Sequence, residues 1–215
     1  MNKRLLAICY CFLALFAHTS AAQTFSVSDP KLQQCLQSIA KKEQWRQPAD
    51  FIDIKCHGNN IRSLQRLEAF TNVVMLSIYN NKLSRIDVDL TRLKQLKTLN
   101  LARNNIEQAE LAKLESLEKV YLFSNGLRSL KLGGLTKLKE IKANNNKISD
   151  FHYVDLPRLE KMYIFNNELE TINIYDLPSL QYMDCRENPM PDELYDEMDQ
   201  LEHITFLHDG NAEDW

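Results

Sequence analysis

The chain has 215 residues, of which 44% are hydrophobic and 26% are charged, and its formal net charge at pH 7 is −3. This length fits one domain or two small ones, and the hydrophobic share is too high for a disordered chain. Five Gly and six Pro exclude collagen-like and low-complexity sequences. The slight acidic excess lacks the basic footprint of nucleic-acid binding, so no nucleic-acid partner is expected.

The N-terminal segment 1–22 is typical of a secretory signal peptide. Lys3 and Arg4 precede an apolar run over residues 5–17, and small residues follow up to Ala22. This run is shorter than the ~20 residues that a membrane-spanning helix needs, which favours a cleaved signal over an uncleaved anchor. We therefore predict a signal peptide over 1–22 and a periplasmic or secreted mature protein that does not insert into a membrane.

A repeat of about 21 residues organises the rest of the chain. Asparagines recur at this spacing, each with apolar residues eight, five and three positions before it and two positions after it. One unit reads L-x-x-L-x-L-x-x-N-x-I over residues 96–106, and an eighth unit carries Asp209 in the Asn position. The seven asparagines are Asn59, Asn81, Asn104, Asn125, Asn146, Asn167 and Asn188.

This pattern resembles the leucine-rich repeat family, L-x-x-L-x-L-x-x-N-x-L, in its short bacterial form. The resemblance covers residues 51–209 and implies an α/β repeat solenoid of eight repeats with a curved parallel β-sheet. The residues indicate the same architecture independently, because apolar residues two apart point to one face of a strand and such strands bury that face only when stacked. The asparagine amides are expected to form a ladder that satisfies backbone groups where the chain leaves each strand.

The second half of each repeat nearly repeats this rhythm, as in Leu127, Leu130, Leu132 and Leu135. We predict a second short extended segment there, and hence a mostly non-helical convex side. Pro157 precedes the next strand and would also discourage a helix.

The two ends of the solenoid need caps, because terminal repeats would otherwise expose the core. Residues 23–50 are expected to form the N-terminal cap, with a helix over about 29–42. Residues 192–200 are expected to form a short helix before the eighth repeat, and residues 210–215 a C-terminal tail.

Three cysteines remain after the predicted cleavage: Cys35, Cys56 and Cys185. Cys56 fills an inward strand position of the first repeat, and Cys35 lies on the apolar face of the helix above it. Outside the cytoplasm we expect a disulfide between them. Cys185 lies six strand spacings away, about 29 Å, so it is expected to be free and buried. The alternative is three buried thiols that pack as small hydrophobic side chains.

No nucleophile elbow, phosphate-binding glycine loop or zinc signature is present, so we predict a non-enzymatic protein without a cofactor or metal. His203 and His208 share the eighth repeat with Asp209, and a metal cluster is the alternative interpretation there. The scattered positions of the histidines favour solvated polar side chains instead.

Strand alternation sends the residues beside the inward leucines to the concave surface. Repeats four and six read YLFSN from Tyr121 and YIFNN from Tyr163, so four aromatic side chains are expected to face solvent. Exposed aromatic patches mark partner sites, and lysines rim this one. The predicted partner-binding residues are Tyr79, Lys119, Tyr121, Phe123, Lys142, Lys161, Tyr163, Phe165, Tyr182 and Arg186.

The resulting hypothesis is an exported binding module that uses a concave aromatic surface for protein–protein interaction. One alternative is a carbohydrate- or cell-wall-binding module, because sugars also stack on Tyr and Phe. Another is an envelope structural protein that self-associates through the solenoid ends. The aromatic side chains could also pack against one another without binding a partner, or the chain could self-associate through this face.

Overall fold

The computed structural model describes residues 24–210. The predicted signal peptide therefore lies outside the described residues, as do residues 211–215 of the predicted tail. Within 24–210, no helix is long and apolar enough to cross a membrane.

The described residues form two α-helices and eleven short strands. The helices are α1 (Pro30–Glu43) and α2 (Asp192–Asp199). The strands are β1 (Asp53–Lys55), β2 (Met75–Ser77), β3 (Thr98–Asn100), β4 (Gln108–Ala112), β5 (Lys119–Tyr121), β6 (Ser129–Gly133), β7 (Glu140–Lys142), β8 (Asp150–Val154), β9 (Lys161–Tyr163), β10 (Tyr182–Asp184) and β11 (Thr205–Leu207). Single turns of 3₁₀ helix lie at Pro48–Asp50, Leu67–Ala69 and Leu90–Arg92.

Eight of these strands form one parallel sheet in the order β1-β2-β3-β5-β7-β9-β10-β11. The middle residue of each strand is buried, from Ile54 in β1 to Phe206 in β11. These middle residues are aligned by the strand register, so they form one continuous inward column. Eight parallel strands, stacked one per repeat, confirm the predicted repeat solenoid.

The second half of the central repeats forms a smaller parallel sheet, β4-β6-β8. Leu130 and Leu132 of β6 point inward and are buried, as the two-residue period predicts. In the longer early repeats, single 3₁₀ turns occupy the convex side instead. The convex side of residues 51–207 is therefore free of α-helix apart from α2, in agreement with the expectation.

Helix α1 caps the first repeat through Leu32, Leu36 and Ala40, which are all buried. The structure also joins Cys35 to Cys56 in a disulfide, so a covalent bond links the helix to the residue that follows β1. Cys185 is free and buried, directly after β10 in the corresponding position of its own repeat.

The asparagine side chains of the ladder hydrogen-bond backbone groups where the chain leaves each strand, as expected. Asn146 is an example. Its Oδ1 accepts hydrogen bonds from the backbone N–H groups of Asn125 and Leu127, both at 3.1 Å. Its Nδ2 donates to the carbonyl oxygens of Leu122 at 3.1 Å and Ala143 at 3.0 Å. One side chain thus bonds the backbone of its own repeat and that of the preceding repeat.

The residue before each ladder asparagine adopts a left-handed backbone conformation. At Ser124, for example, φ is 54°, and at Arg103 it is also 54°. This conformation turns the chain sharply out of the strand, and it is costly for residues that carry a Cβ. The seven positions are Gly58, Asn80, Arg103, Ser124, Asn145, Asn166 and Glu187.

Candidate partner-binding face

The outward side of the eight-stranded sheet, called here the sheet face, carries all ten predicted partner-binding residues. The register aligns Tyr121 of β5 with Lys142 of β7, and Lys142 with Tyr163 of β9. It likewise aligns Lys119 with Glu140, and Glu140 with Lys161. Residues that occupy the same position in successive repeats therefore lie side by side on neighbouring strands, as the repeat spacing predicts.

Lys142 lies between the two central tyrosines and contacts both rings. Its Nζ is 4.7 Å from the ring centroid of Tyr163 and 5.8 Å from that of Tyr121. Both distances are within the range of cation–π attraction. The same Nζ is 3.5 Å from Glu140, which fixes the ammonium group from a second direction. Rings that lie two strands apart are thus joined through one lysine.

Further ring contacts extend this arrangement in both directions. The rings of Tyr163 and Tyr182 are 5.2 Å apart, and those of Tyr79 and Phe123 are 6.4 Å apart. Arg103 places its guanidinium 5.7 Å from the Tyr79 ring. The sequence analysis did not select Arg103. This residue lies in the left-handed turn after the strand and is not one of the alternating outward residues.

Neighbouring side chains cover part of each aromatic ring that was expected to face solvent. Tyr121, Phe123, Tyr163 and Phe165 do lie on the sheet face, but each is only partly exposed. Strands about 4.8 Å apart bring side chains of neighbouring strands against the flanks of each ring. The large hydrophobic side chains with the greatest exposure lie elsewhere, and they are Ile52 (45%), Val154 (67%) and Tyr175 (65%).

Arg186, one of the predicted contact residues, is held by a neighbour two residues before it in the chain. Its Nε and one terminal nitrogen donate to the two carboxylate oxygens of Asp184, at 2.9 and 2.8 Å. This hydrogen bonding raises the pKa of the Arg186 guanidinium above its ordinary value. Because Asp184 is buried at 3% exposure, the pair is a fixed part of the face.

Burial raises the pKa of Tyr121 to about 12, and the nearby Glu140 carboxylate adds to this shift. The Tyr121 phenol is consequently neutral at any physiological pH. Tyr121 therefore contributes an uncharged hydroxyl group to this face, and the charge on the face comes from lysine, arginine and carboxylate side chains.

The expectation of solvated histidines in the eighth repeat holds for His203, which is exposed, but is wrong for His208. His208 is buried, its Nε2 lies 3.0 Å from Asp199 Oδ1, and its ring stacks on Tyr195 at 4.6 Å. The repeat pattern gave no signal of this packing, because Tyr195 and Asp199 come from the inserted helix α2. Among residues 24–210, no group of three or more His, Cys, Asp and Glu side chains is arranged to hold a metal ion.

No protein-family model matches the chain, and no curated protein matches it. The crystal structure of the APL1 leucine-rich repeat domain is similar at 25% identity and TM-score 0.53, over 59% of this chain and 34% of that one. The leucine-rich repeat domain of APL1B is similar at 26% identity and TM-score 0.52, over 59% of this chain and 38% of that one.

The LRIM1/APL1C complex is similar at 22% identity and TM-score 0.56, over 68% of this chain and 28% of that one. The chain thus spans well under half of the length of these proteins. The two APL1 domains are leucine-rich repeat structures, and each is similar to 59% of this chain. The chain therefore has a parallel β-solenoid fold with turns of about 21 residues, similar to the fold of leucine-rich repeat proteins.

Proposed function

We propose that this chain is an exported, non-enzymatic binding module whose sheet face binds another protein. The observation that carries the proposal is that Lys142 contacts the partly exposed rings of both Tyr121 and Tyr163. Tyrosine and phenylalanine are enriched at interface cores, where a few aromatic residues can supply most of the binding energy. Because neighbouring side chains already fix these rings, binding would cost little ordering entropy.

Two further observations support an exported binding role. The Cys35–Cys56 disulfide is typical of proteins in oxidising compartments and fits the predicted signal peptide. Leucine-rich repeat domains serve widely as interaction modules, and one of the similar structures is itself a complex.

The ring geometry favours a protein partner over a sugar. Lys142 lies on one side of the Tyr163 ring, and Tyr182 lies on the neighbouring strand at the other side. A sugar stacks on an open ring face, whereas this arrangement leaves mainly edges and hydroxyl groups accessible. Edges and hydroxyl groups suit the mixed polar and apolar surface of a protein.

A crosslinking pull-down with the purified protein tests this proposal. A partner captured by the wild type should be lost by a Tyr121→Ser/Tyr163→Ser variant that keeps its far-UV circular dichroism spectrum. The matched control is Tyr175→Ser, which removes an exposed ring outside the sheet face and should retain the partner. Equal capture by all three proteins would move the binding site away from this face, and binding to a glycan array alone would favour the carbohydrate alternative.

A further inference from the structure

We propose that a second copy of this chain docks the acidic end of its solenoid on the sheet face, in a head-to-tail contact. The inference rests on the proposed function because it uses the same sheet face. A second copy bound there would compete with the protein partner for that face. Among the described residues, two observations support this contact: lysines without an ion-pair partner on the sheet face, and carboxylates without one at the C-terminal end of the solenoid.

The first observation concerns the centre of the sheet face. Glu140 at this centre is paired with Lys142 (3.5 Å), and nearer the two ends of the sheet Asp53 is paired with Lys55 (3.3 Å) and Asp184 with Arg186 (2.8 Å). Lys119 and Lys161 are exposed and form no ion pair within residues 24–210. The centre of the face therefore carries two positive charges that the fold does not neutralise.

These two lysines flank the aromatic row. They lie on β5 and β9, which are two strand spacings apart, about 9.6 Å. Tyr121 and Tyr163 occupy the same two strands, two residues further along the chain. A ligand that matches this surface needs carboxylates at its rim and an apolar group for the rings.

The second observation concerns the C-terminal end of the solenoid. Residues 190–210 contain no Lys or Arg, and their acidic residues are Asp192, Glu193, Asp196, Glu197, Asp199, Glu202 and Asp209. Helix α2 exposes Asp192, Glu193 and Asp196, and none of these forms an ion pair within the described chain. The same end of the chain therefore carries unneutralised negative charge.

Tyr175 supplies the apolar group at this end. Its side chain is 65% exposed, and its hydroxyl group lies 3.0 Å from Glu197 Oε2 on α2. An exposed ring beside carboxylates complements rings beside free lysines, in both charge and polarity. Because the two surfaces differ, the contact is heterologous and can extend from copy to copy instead of closing a two-fold dimer.

Sedimentation equilibrium of the purified protein between 10 and 500 μM, at low and high salt, tests the inference. The wild type should show a mass that rises with concentration, and 0.5 M NaCl should suppress the rise because the contact is electrostatic. Lys119→Glu/Lys161→Glu should weaken association at least tenfold, as should Glu193→Lys/Asp196→Lys. The control Lys94→Glu/Lys137→Glu changes two exposed lysines outside the sheet face and should associate like the wild type.

Mixing the two charge-reversed variants is the decisive step. Each variant alone should associate at least tenfold more weakly than the wild type. The mixture brings the unaltered acidic end of one variant to the unaltered sheet face of the other, so it should associate again. A wild type that stays monomeric at 500 μM in low salt would overturn the inference, as would a mixture that stays monomeric. Neither result would affect the pull-down test of the proposed function, which uses a different protein as the partner.

Discussion

One carboxylate oxygen of Asp29 accepts a hydrogen bond at 2.8 Å from the backbone N–H of Arg62, 33 residues later in the chain. Its other oxygen caps helix α1 by accepting from the N–H groups of Lys31 and Leu32, at 2.8 and 3.0 Å. Asp29 is 7% exposed, so one buried side chain connects the start of the cap with the first repeat.

Replacing Asp29 by Ala should therefore destabilise the protein by about 2–3 kcal/mol, because a helix cap is lost and the part-buried N–H group of Arg62 loses its acceptor. Urea unfolding monitored by circular dichroism measures this loss. Asp89→Ala provides the comparison, since Asp89 also caps a short helical turn but lies at the surface. An Asp29 variant no less stable than the Asp89 variant would show that the link to Arg62 contributes nothing.

Reduction of the Cys35–Cys56 disulfide should also lower stability. The bond closes a loop with a sequence separation of 21 residues. Loops of this length give about 2–4 kcal/mol through restriction of the unfolded chain. Urea unfolding with and without a reductant measures the difference, and a Cys35→Ser/Cys56→Ser variant should be insensitive to the reductant. A wild-type protein that unfolds at the same urea concentration under both conditions would contradict this expectation.

Cys185 should be unreactive while the protein is folded. Burial raises the pKa of its thiol to about 12. The raised pKa means that at pH 8 only about one molecule in 10⁴ carries the reactive thiolate, compared with roughly a quarter for an ordinary thiol of pKa ≈ 8.5. Iodoacetamide at pH 8 should label Cys185 only after unfolding in urea, as mass spectrometry of the labelled peptide will report. Rapid labelling of the native protein would mean that the C-terminal repeat opens readily.

The ladder asparagines should be far more sensitive to substitution than their neighbours. Asn104 is buried at 8% exposure, and its side chain bonds the backbone of Leu83, Ile78 and Leu101 at 2.9–3.0 Å. Asn104→Ala leaves these groups unsatisfied, for an expected loss of about 2–4 kcal/mol. The adjacent Asn105 is exposed, so Asn105→Ala should change stability by less than about 0.5 kcal/mol. Similar losses for the two variants in urea unfolding would rule out the ladder as a stabilising element.

Repeat spacing alone predicts which residues share the sheet face, because a fixed period and parallel register leave one alignment for Lys119, Tyr121 and Tyr163. It does not predict how far each ring is covered, since that depends on where a long side chain such as Lys142 comes to rest. Arg103 was missed, and the burial of His208 was not predicted, for a related reason. One lies in a left-handed turn outside the strand pattern, and the other is packed by a helix inserted between two repeats.

The left-handed turns offer a way to stabilise the solenoid. Ser124 adopts φ 54°, which costs a residue with a Cβ about 1–2 kcal/mol, whereas glycine adopts it freely. Glycine also makes the unfolded chain more flexible, which offsets about 0.5–1 kcal/mol of the gain. Ser124→Gly should therefore stabilise the protein by roughly 0.5–1 kcal/mol. Ser116→Gly, at a position without positive φ, carries only the entropic cost and should destabilise it. If both variants lose stability equally in urea unfolding, the turn at Ser124 is not strained.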